Sequence, residues 1–252
     1  RTAHGGASVI TANNVFAHID DLGGVLNGIA ALLADDGVFV FEVSYLLDVF
    51  EHTLFDTIYH EHLAYHTVAP LVSFMAAHGM ELIGAERVST HGGSLRAVAQ
   101  QTGGGKSVAP SVAQLIDLEK KMGLDKAETY RDFGLRIDVL KAELSTLLRA
   151  SKDAGRTIAA FGAPAKATTL MYHFDIGADL IDFIVDDSPL KQGLYSPGMH
   201  IPVVPSSAIE EHKPDDIVIL AWNFATPIMA KLDSFKASGG RFIVPLPSLE
   251  TH

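Results

Sequence analysis

The chain has 252 residues, 48% of them hydrophobic and 19% charged, a globular composition long enough for one large domain or two small ones. A formal charge of −11 argues against general nucleic-acid affinity, which needs clustered Lys and Arg, yet leaves room for a small phosphorylated ligand held by a few local donors. There is no cysteine, so disulfides and thiolate metal sites are excluded, and no apolar stretch reads as a membrane span.

Residues 1–6 are polar and show no signal-peptide pattern, so a cytoplasmic location is expected. Arg rather than Met at position 1 suggests numbering that starts inside a longer protein. A β-branched run at 8–10 predicts a strand ending at Asn13-Asn14. Asp20-Asp21 offers an N-cap to a helix whose apolar residues run from Leu22 to Leu33, and Asp35-Asp36-Gly37 is expected to stop it. Residues 38–43 read as a buried strand, so 8–45 form one βαβ unit of a doubly wound sheet. Residues 46–66 fit neither period. A helix over 70–78 ends at Gly79, and strands at 80–88 and 94–100 flank the hairpin turn His91-Gly92-Gly93. Residues 110–152 are amphipathic and helical with a break near Gly123. A new α/β unit then begins: strands at 157–161, 181–185, 217–221 and 241–244, helices at 165–174 and 227–238, implying a parallel sheet.

The densest polar cluster runs from Phe55 to His66 and holds Tyr59, Glu61, His62 and Tyr65. Imidazole beside carboxylate gives a base near neutral pH, and a tyrosine can donate to a developing oxyanion. The same residue types also suit a helix with solvated His and Glu. On such a helix His62 and His66 would share a face as zinc ligands do, but no third ligand and no HExxH pattern accompany them, so no metal is expected. Asn13, Asn14 and His18 follow the first strand, at the carboxyl end where α/β sheets bind ligands. Asn14 and His18 serve equally well as caps of the next helix. In the second half, Gly162-Ala163-Pro164-Ala165-Lys166 joins strand to helix. Helix N-terminal N–H groups plus a lysine suit a phosphate, although a plain structural turn fits this sequence too. Asp186 ends the next strand, where an acid can meet a ribose hydroxyl, with Lys191, Tyr195 and His200 beyond it.

Five segments in one order change the balance: Asn13-Asn14-Val15-Phe16-Ala17-His18, Tyr59-His60-Glu61-His62-Leu63-Ala64-Tyr65, His91-Gly92-Gly93-Ser94-Leu95-Arg96, Gly162-Ala163-Pro164-Ala165-Lys166 and Asp186-Asp187-Ser188-Pro189-Leu190-Lys191-Gln192-Gly193. Together they resemble the S-adenosylmethionine-dependent C-methyltransferases of deoxysugar biosynthesis. The resemblance implies an α/β fold: a partial class I methyltransferase Rossmann-like sheet over 1–107, a helical connector over 108–153, and a second Rossmann-like α/β domain over 154–252. The family's cysteine-bearing zinc domain and glycine-rich cofactor loop have no counterpart in this sequence, so the chain is expected to be N-terminally incomplete, and zinc would belong only to that absent region.

Carried over by position, His62 resembles the general base that removes a proton beside the sugar ketone. Tyr59 and Glu61 would support it, and His18 would stabilise the enolate. Asn13 and Asn14 would lie near the S-adenosylmethionine cofactor, and Lys166, Lys191, Arg96 and Tyr65 would contact the substrate. The expected partner is a small nucleotide-sugar, with no nucleic acid and no membrane; oligomeric state is not indicated. Because the cofactor loop lies outside these residues, a non-catalytic nucleotide-sugar or dinucleotide binding module stands as the alternative. The catalytic reading requires His18 and His62 to face each other across one cleft at the ends of the first sheet's strands.

Overall fold

The computed structural model describes all 252 residues and divides them into two compact units. Unit 1 comprises Arg1–His52 and His60–Asp132; unit 2 comprises Thr53–Tyr59 and Phe133–His252. The segment 108–153 divides between them.

Unit 1 contains β1 (Ala7–Asn13), α1 (Leu22–Leu32), β2 (Leu33–Ser44), α2 (Leu46–Glu51), α3 (Val68–Ala77), β3 (Met80–Val88), β4 (Ser94–Gln101) and α4 (Pro110–Lys121). Its sheet has the order β1-β2-β4-β3, with β1 parallel to β2 and β4 antiparallel to both its neighbours. The predicted βαβ unit and the predicted hairpin are therefore two parts of one mixed sheet. Phe39, Phe41 and Val43 alternate along β2 with full burial, and Leu95, Ala97 and Ala99 do so along β4. The edge strand β1 is largely exposed, Val9 to 57%.

Asp21 caps α1 as expected, its Oδ1 accepting the Gly24 N–H at 2.8 Å. The expected stop at Asp35-Asp36-Gly37 is not where the helix ends. It closes at Leu32, and those three residues fall within β2. They form a bulge between the register points Ala7↔Leu33 and Val9↔Val38, so their turn chemistry bends a strand instead of ending a helix. At the other side of the sheet, Glu119 of α4 accepts the N–H groups of Val68 and Ala69 at 2.6 and 3.1 Å, and the Tyr45 hydroxyl at 2.8 Å. A buried carboxylate thus meets the positive end of α3. The hairpin turn needs its glycine: Gly93 has φ +139°, and a Cβ there would lie 2.3 Å from Asp48 Cβ.

α5 (Ala127–Asp153) leads into unit 2, which contains β5 (Ile158–Phe161), α6 (Ala165–Phe174), β6 (Phe183–Val185), β7 (Val203–Val204), α7 (Ser207–His212), β8 (Asp216–Ile219), α8 (Ala225–Lys231), α9 (Asp233–Ala237), β9 (Arg241–Val244) and β10 (Glu250–Thr251). The sheet order is β10-β9-β8-β5-β6-β7, parallel except for β10. Every residue of β5, β6 and β8 is buried, as two covered faces demand. The single helix expected over 227–238 is two, separated at Leu232, whose φ of −103° and ψ of 32° leave the helical region. β5 lies between β6 and β8, so the sheet's direction of winding reverses there. At that reversal Gly162 has φ +93°, and a Cβ on it would lie 2.6 Å from Ala221 Cβ.

Candidate functional site

In unit 1 the chain leaves β1 through Asn14, which has φ +54°, and then forms a single 3-10 turn over Phe16–His18. Phe16 is buried against Phe39 and Phe41 of β2, which fixes this turn on the sheet. The Leu63 N–H donates to the Ala17 carbonyl at 3.1 Å and so ties the segment after His60 to the same turn. As a result the rings of His18 and His62 meet edge to face, centroids 4.9 Å apart and planes at 66°. The Tyr65 hydroxyl lies 3.5 Å from His62 Nδ1.

This geometry corrects one expectation. At 4.9 Å no substrate fits between the two imidazoles. They are neighbours presented together, not opposite walls of a cleft. The arrangement still suits ketone chemistry, because the acidic carbon and the carbonyl oxygen are only two bonds apart, and adjacent rings can address adjacent atoms.

A second group lies at the carboxyl ends of β1 and β2. The Asn14 amide and His91 Nε2 are 3.2 Å apart. Glu42, 6% exposed, pairs in register with Asn13 on one side and Arg96 on the other. Arg96 donates to Glu42 Oε2 through Nε and Nη2 at 3.1 and 3.0 Å and to Glu86 at 3.2 Å; Thr90 also hydrogen-bonds Glu42. Burial pushes the Glu42 carboxyl up, but the Thr90 and Arg96 hydrogen bonds and the guanidinium charge outweigh it and hold it below the usual range. The sequence reading overlooked Glu42, although one acid inside the apolar run 38–43 was a signal. Asn14 caps no helix here: Asp21 caps α1, and Val15 precedes the 3-10 turn.

Residues 58–67 contain no helix, so the shared helical face imagined for His62 and His66 does not exist. His66 instead packs on Phe16 at 5.7 Å, and its Nε2 is buried without a hydrogen-bond partner. Burial pushes its pKa from 6.5 down to about 4. A neutral ring favoured by folding adds stability that is complete above pH 6.5 and is lost as pH falls toward 4, about 3 kcal/mol in all. The urea midpoint is therefore expected to drop between pH 7 and pH 5, and His66→Phe to remove a measurable part of that drop. An unchanged pH slope in the variant would contradict the assignment. Asp48, Glu51 and His52 bring ligand atoms within 4.8 Å of one another, but the Arg87 guanidinium already hydrogen-bonds both carboxylates.

Glu61 is exposed in unit 1, while Tyr59 belongs to unit 2. In unit 2, Lys191 donates to Asp186 at 3.2 Å, and Asp186 also accepts the N–H groups of Ala163 and Ser188 at 2.7 and 2.8 Å. Burial raises the Asp186 pKa, and these donors outweigh it, leaving the carboxyl below its usual range. Asp186 thus braces the Gly162–Ala163 turn at the winding reversal. Lys166 is turned inward: its ammonium lies 3.5 Å from the fully buried Asp56 and 3.8 Å from the centroid of the Trp222 ring. Asp56 lies within the polar cluster 55–66 but has no role of its own in the sequence reading, and nothing in the local pattern marks Trp222.

A family model described as the C-methyltransferase C-terminal domain matches residues 89–247, and one described as a methyltransferase domain matches residues 2–85. The C-methyltransferase NovU of Streptomyces niveus is 37% identical over 246 residues, 98% of this chain. The chain spans 59% of that relative's length. Among solved structures, the Burkholderia thailandensis 1,6-didemethyltoxoflavin-N1-methyltransferase with S-adenosylhomocysteine superposes over 38% of this chain and 44% of its own, at 20% identity and TM-score 0.29. The magnesium protoporphyrin IX methyltransferase of Synechocystis PCC 6803 does so over 39% and 46%, at 15% identity and TM-score 0.31. Superpositions this partial carry nothing about chemistry. No helix of the chain is long and apolar enough to cross a membrane.

Proposed function

The chain belongs to the C-methyltransferase family, and from that premise we propose that the intact protein moves a methyl group from S-adenosylmethionine to the carbon beside the ketone of a nucleotide-linked keto-deoxysugar. The observation that carries the reading is the contact between the His18 and His62 rings at the carboxyl end of β1. A C–H next to a ketone gives up its proton only when the enolate charge is held, so a base and a hydrogen-bond donor must act on neighbouring atoms. His62 takes the proton. His18 donates to the ketone oxygen as it becomes an oxyanion. The Tyr65 hydroxyl, 3.5 Å from His62 Nδ1, orients the base, and Glu61 and Tyr59 are assigned to its support from their sequence positions, one and three residues before it.

When bound, S-adenosylmethionine supplies an electrophilic methyl group on a sulfonium centre. Asn13 and Asn14 are the residues assigned to it: both side chains are exposed at the strand end, and an amide pair offers donors and acceptors without fixed charge. For the nucleotide sugar, Tyr65 and Arg96 are the donors assigned in unit 1, the arginine already held by a carboxylate that keeps its head in place.

Incubating the intact protein with a methyl-labelled cofactor and nucleotide-linked keto-deoxysugars is expected to place label on the sugar. Calorimetric binding of the nucleotide sugar with no label transferred would instead favour a binding module without catalysis.

A further inference from the structure

We propose that Asp56, Lys166 and Trp222 act together as an anchor that positions the peptide carrying Tyr59, so that all three are positioning residues for the reaction above, on which this inference rests. The three come from separate places in unit 2: the 3-10 turn Phe55–Thr57, the first turn of α6, and the 3-10 turn Trp222–Phe224 after β8.

Asp56 is fully buried. Its Oδ2 accepts the Trp222 indole N–H at 2.6 Å and faces the Lys166 ammonium at 3.5 Å. The same ammonium sits over the indole ring, so each member touches the other two. Neighbouring contacts hold the rest of the segment. Phe55 stacks on Phe174 with centroids 5.0 Å apart, and the Thr169 hydroxyl donates to the Ile58 carbonyl at 3.3 Å. The Tyr59 N–H then donates to the Thr57 carbonyl at 3.1 Å, passing this constraint to the residue assigned to the reaction.

The chemistry of the anchor favours positioning over bulk stability. Taking a carboxylate and an ammonium out of water costs about as much as their attraction returns, and apolar side chains of equal volume would stabilise the turn as well. What a buried charged pair with an indole donor adds is a single permitted geometry. Burial pushes the Asp56 carboxyl up and the Lys166 amine down, each against the pull of its partner. The Lys166 side chain is 15% exposed, with its ammonium turned toward Asp56.

Trp222 is the only tryptophan in these 252 residues, and in the intact protein the emission lost in Trp222→Phe isolates its signal. The test uses the intact protein with Trp222→Phe, which keeps a ring and removes only the N–H, and Lys166→Met, with His62→Ala as the reference. Kinetics are read well below each thermal midpoint. Both anchor variants are expected to lose about tenfold to a hundredfold in kcat, because a small misplacement of reacting groups is that costly. The KM for the methyl donor should stay within about twofold of the parent, and kcat is normalised to the folded fraction titrated by nucleotide-sugar binding, because loss of folded protein alone would also lower kcat at constant KM. Trp222 emission should change in Lys166→Met as the ammonium leaves the ring. Folded anchor variants with parental kcat, alongside an inactive His62→Ala, would overturn the anchor alone. An active His62→Ala would bring down the catalytic reading and the anchor with it. If Lys166→Met does not fold, Trp222→Phe decides.

Discussion

Replacing His62 by alanine is expected to lower the rate of methyl transfer by about 10²–10⁴ while leaving affinity for the nucleotide sugar nearly unchanged. The size follows from the task. Proton removal from carbon is the step that needs a positioned base, and water or a distant side chain replaces it poorly. The pattern follows from the geometry. His62 is half-buried beside His18 and Tyr65, so the variant loses one reacting group and leaves the turn at Phe16–His18 and its packing on β2 in place. An effect made only in the transition state lowers kcat and kcat/KM together. Steady-state kinetics on the labelled-methyl reaction, with calorimetry for binding, checks both halves. A variant that loses affinity and keeps kcat would make His62 a binding group.

Asp216→Ala is expected to destabilise unit 2 by about 3 kcal/mol, the low end for removal of one partner from a buried ion pair. Asp216 is fully buried, while its partners are about a third exposed and keep some solvation. Arg156 donates to it through Nε and Nη2 at 3.2 and 2.7 Å, and Arg241 through Nε and Nη2 at 2.9 and 2.8 Å. Arg241 also reaches the Ser151 hydroxyl on α5 at 2.7 Å, so Asp216 of β8 is tied to β9, to the residue Arg156 just ahead of β5 and, through Arg241, to the long helix. Burial raises the Asp216 pKa, and the two guanidinium groups outweigh it, leaving the carboxyl below its usual range. The stability it contributes is therefore present above the ordinary carboxylate pKa and disappears as pH falls through the lowered one. Urea unfolding at neutral pH measures the loss; an unchanged midpoint would contradict the role.

The regular elements were legible where one period dominates locally. α6 over Ala165–Phe174, β3 over Met80–Val88 and β9 over Arg241–Val244 occupy the residues their hydrophobic patterns indicate. The break at Gly123 was legible for the same reason, since its φ of +68° is one that glycine adopts freely. The two-residue strands β7 and β10 were not, because two residues show no period. The bulge in β2 was misread because Asp35-Asp36-Gly37 has the same local chemistry in a strand bulge as at a helix end; the pairing with β1 decides between them.

The candidate site divides in the same way. Asn14, His18 and His62 stood out as candidates from the sequence itself and took their roles from the resemblance, while the contact of His18 with His62 depends on residues 44 positions apart. Residues 53–59 could not be placed from sequence at all. Their conformation is set by Trp222, 166 positions beyond Asp56, and by α6. No window of local sequence contains both partners of such a contact. The consequence was Lys166: in sequence it reads as a phosphate donor at a helix start, and in space it is a buried counterion.

The most direct check of the central claim is isotope exchange at the substrate carbon. The intact protein, given the nucleotide-linked keto-deoxysugar in deuterium oxide with S-adenosylhomocysteine in place of the methyl donor, should wash deuterium into the position beside the ketone, and His62→Ala should not. Exchange that proceeds equally in the variant would mean that His62 is not the base.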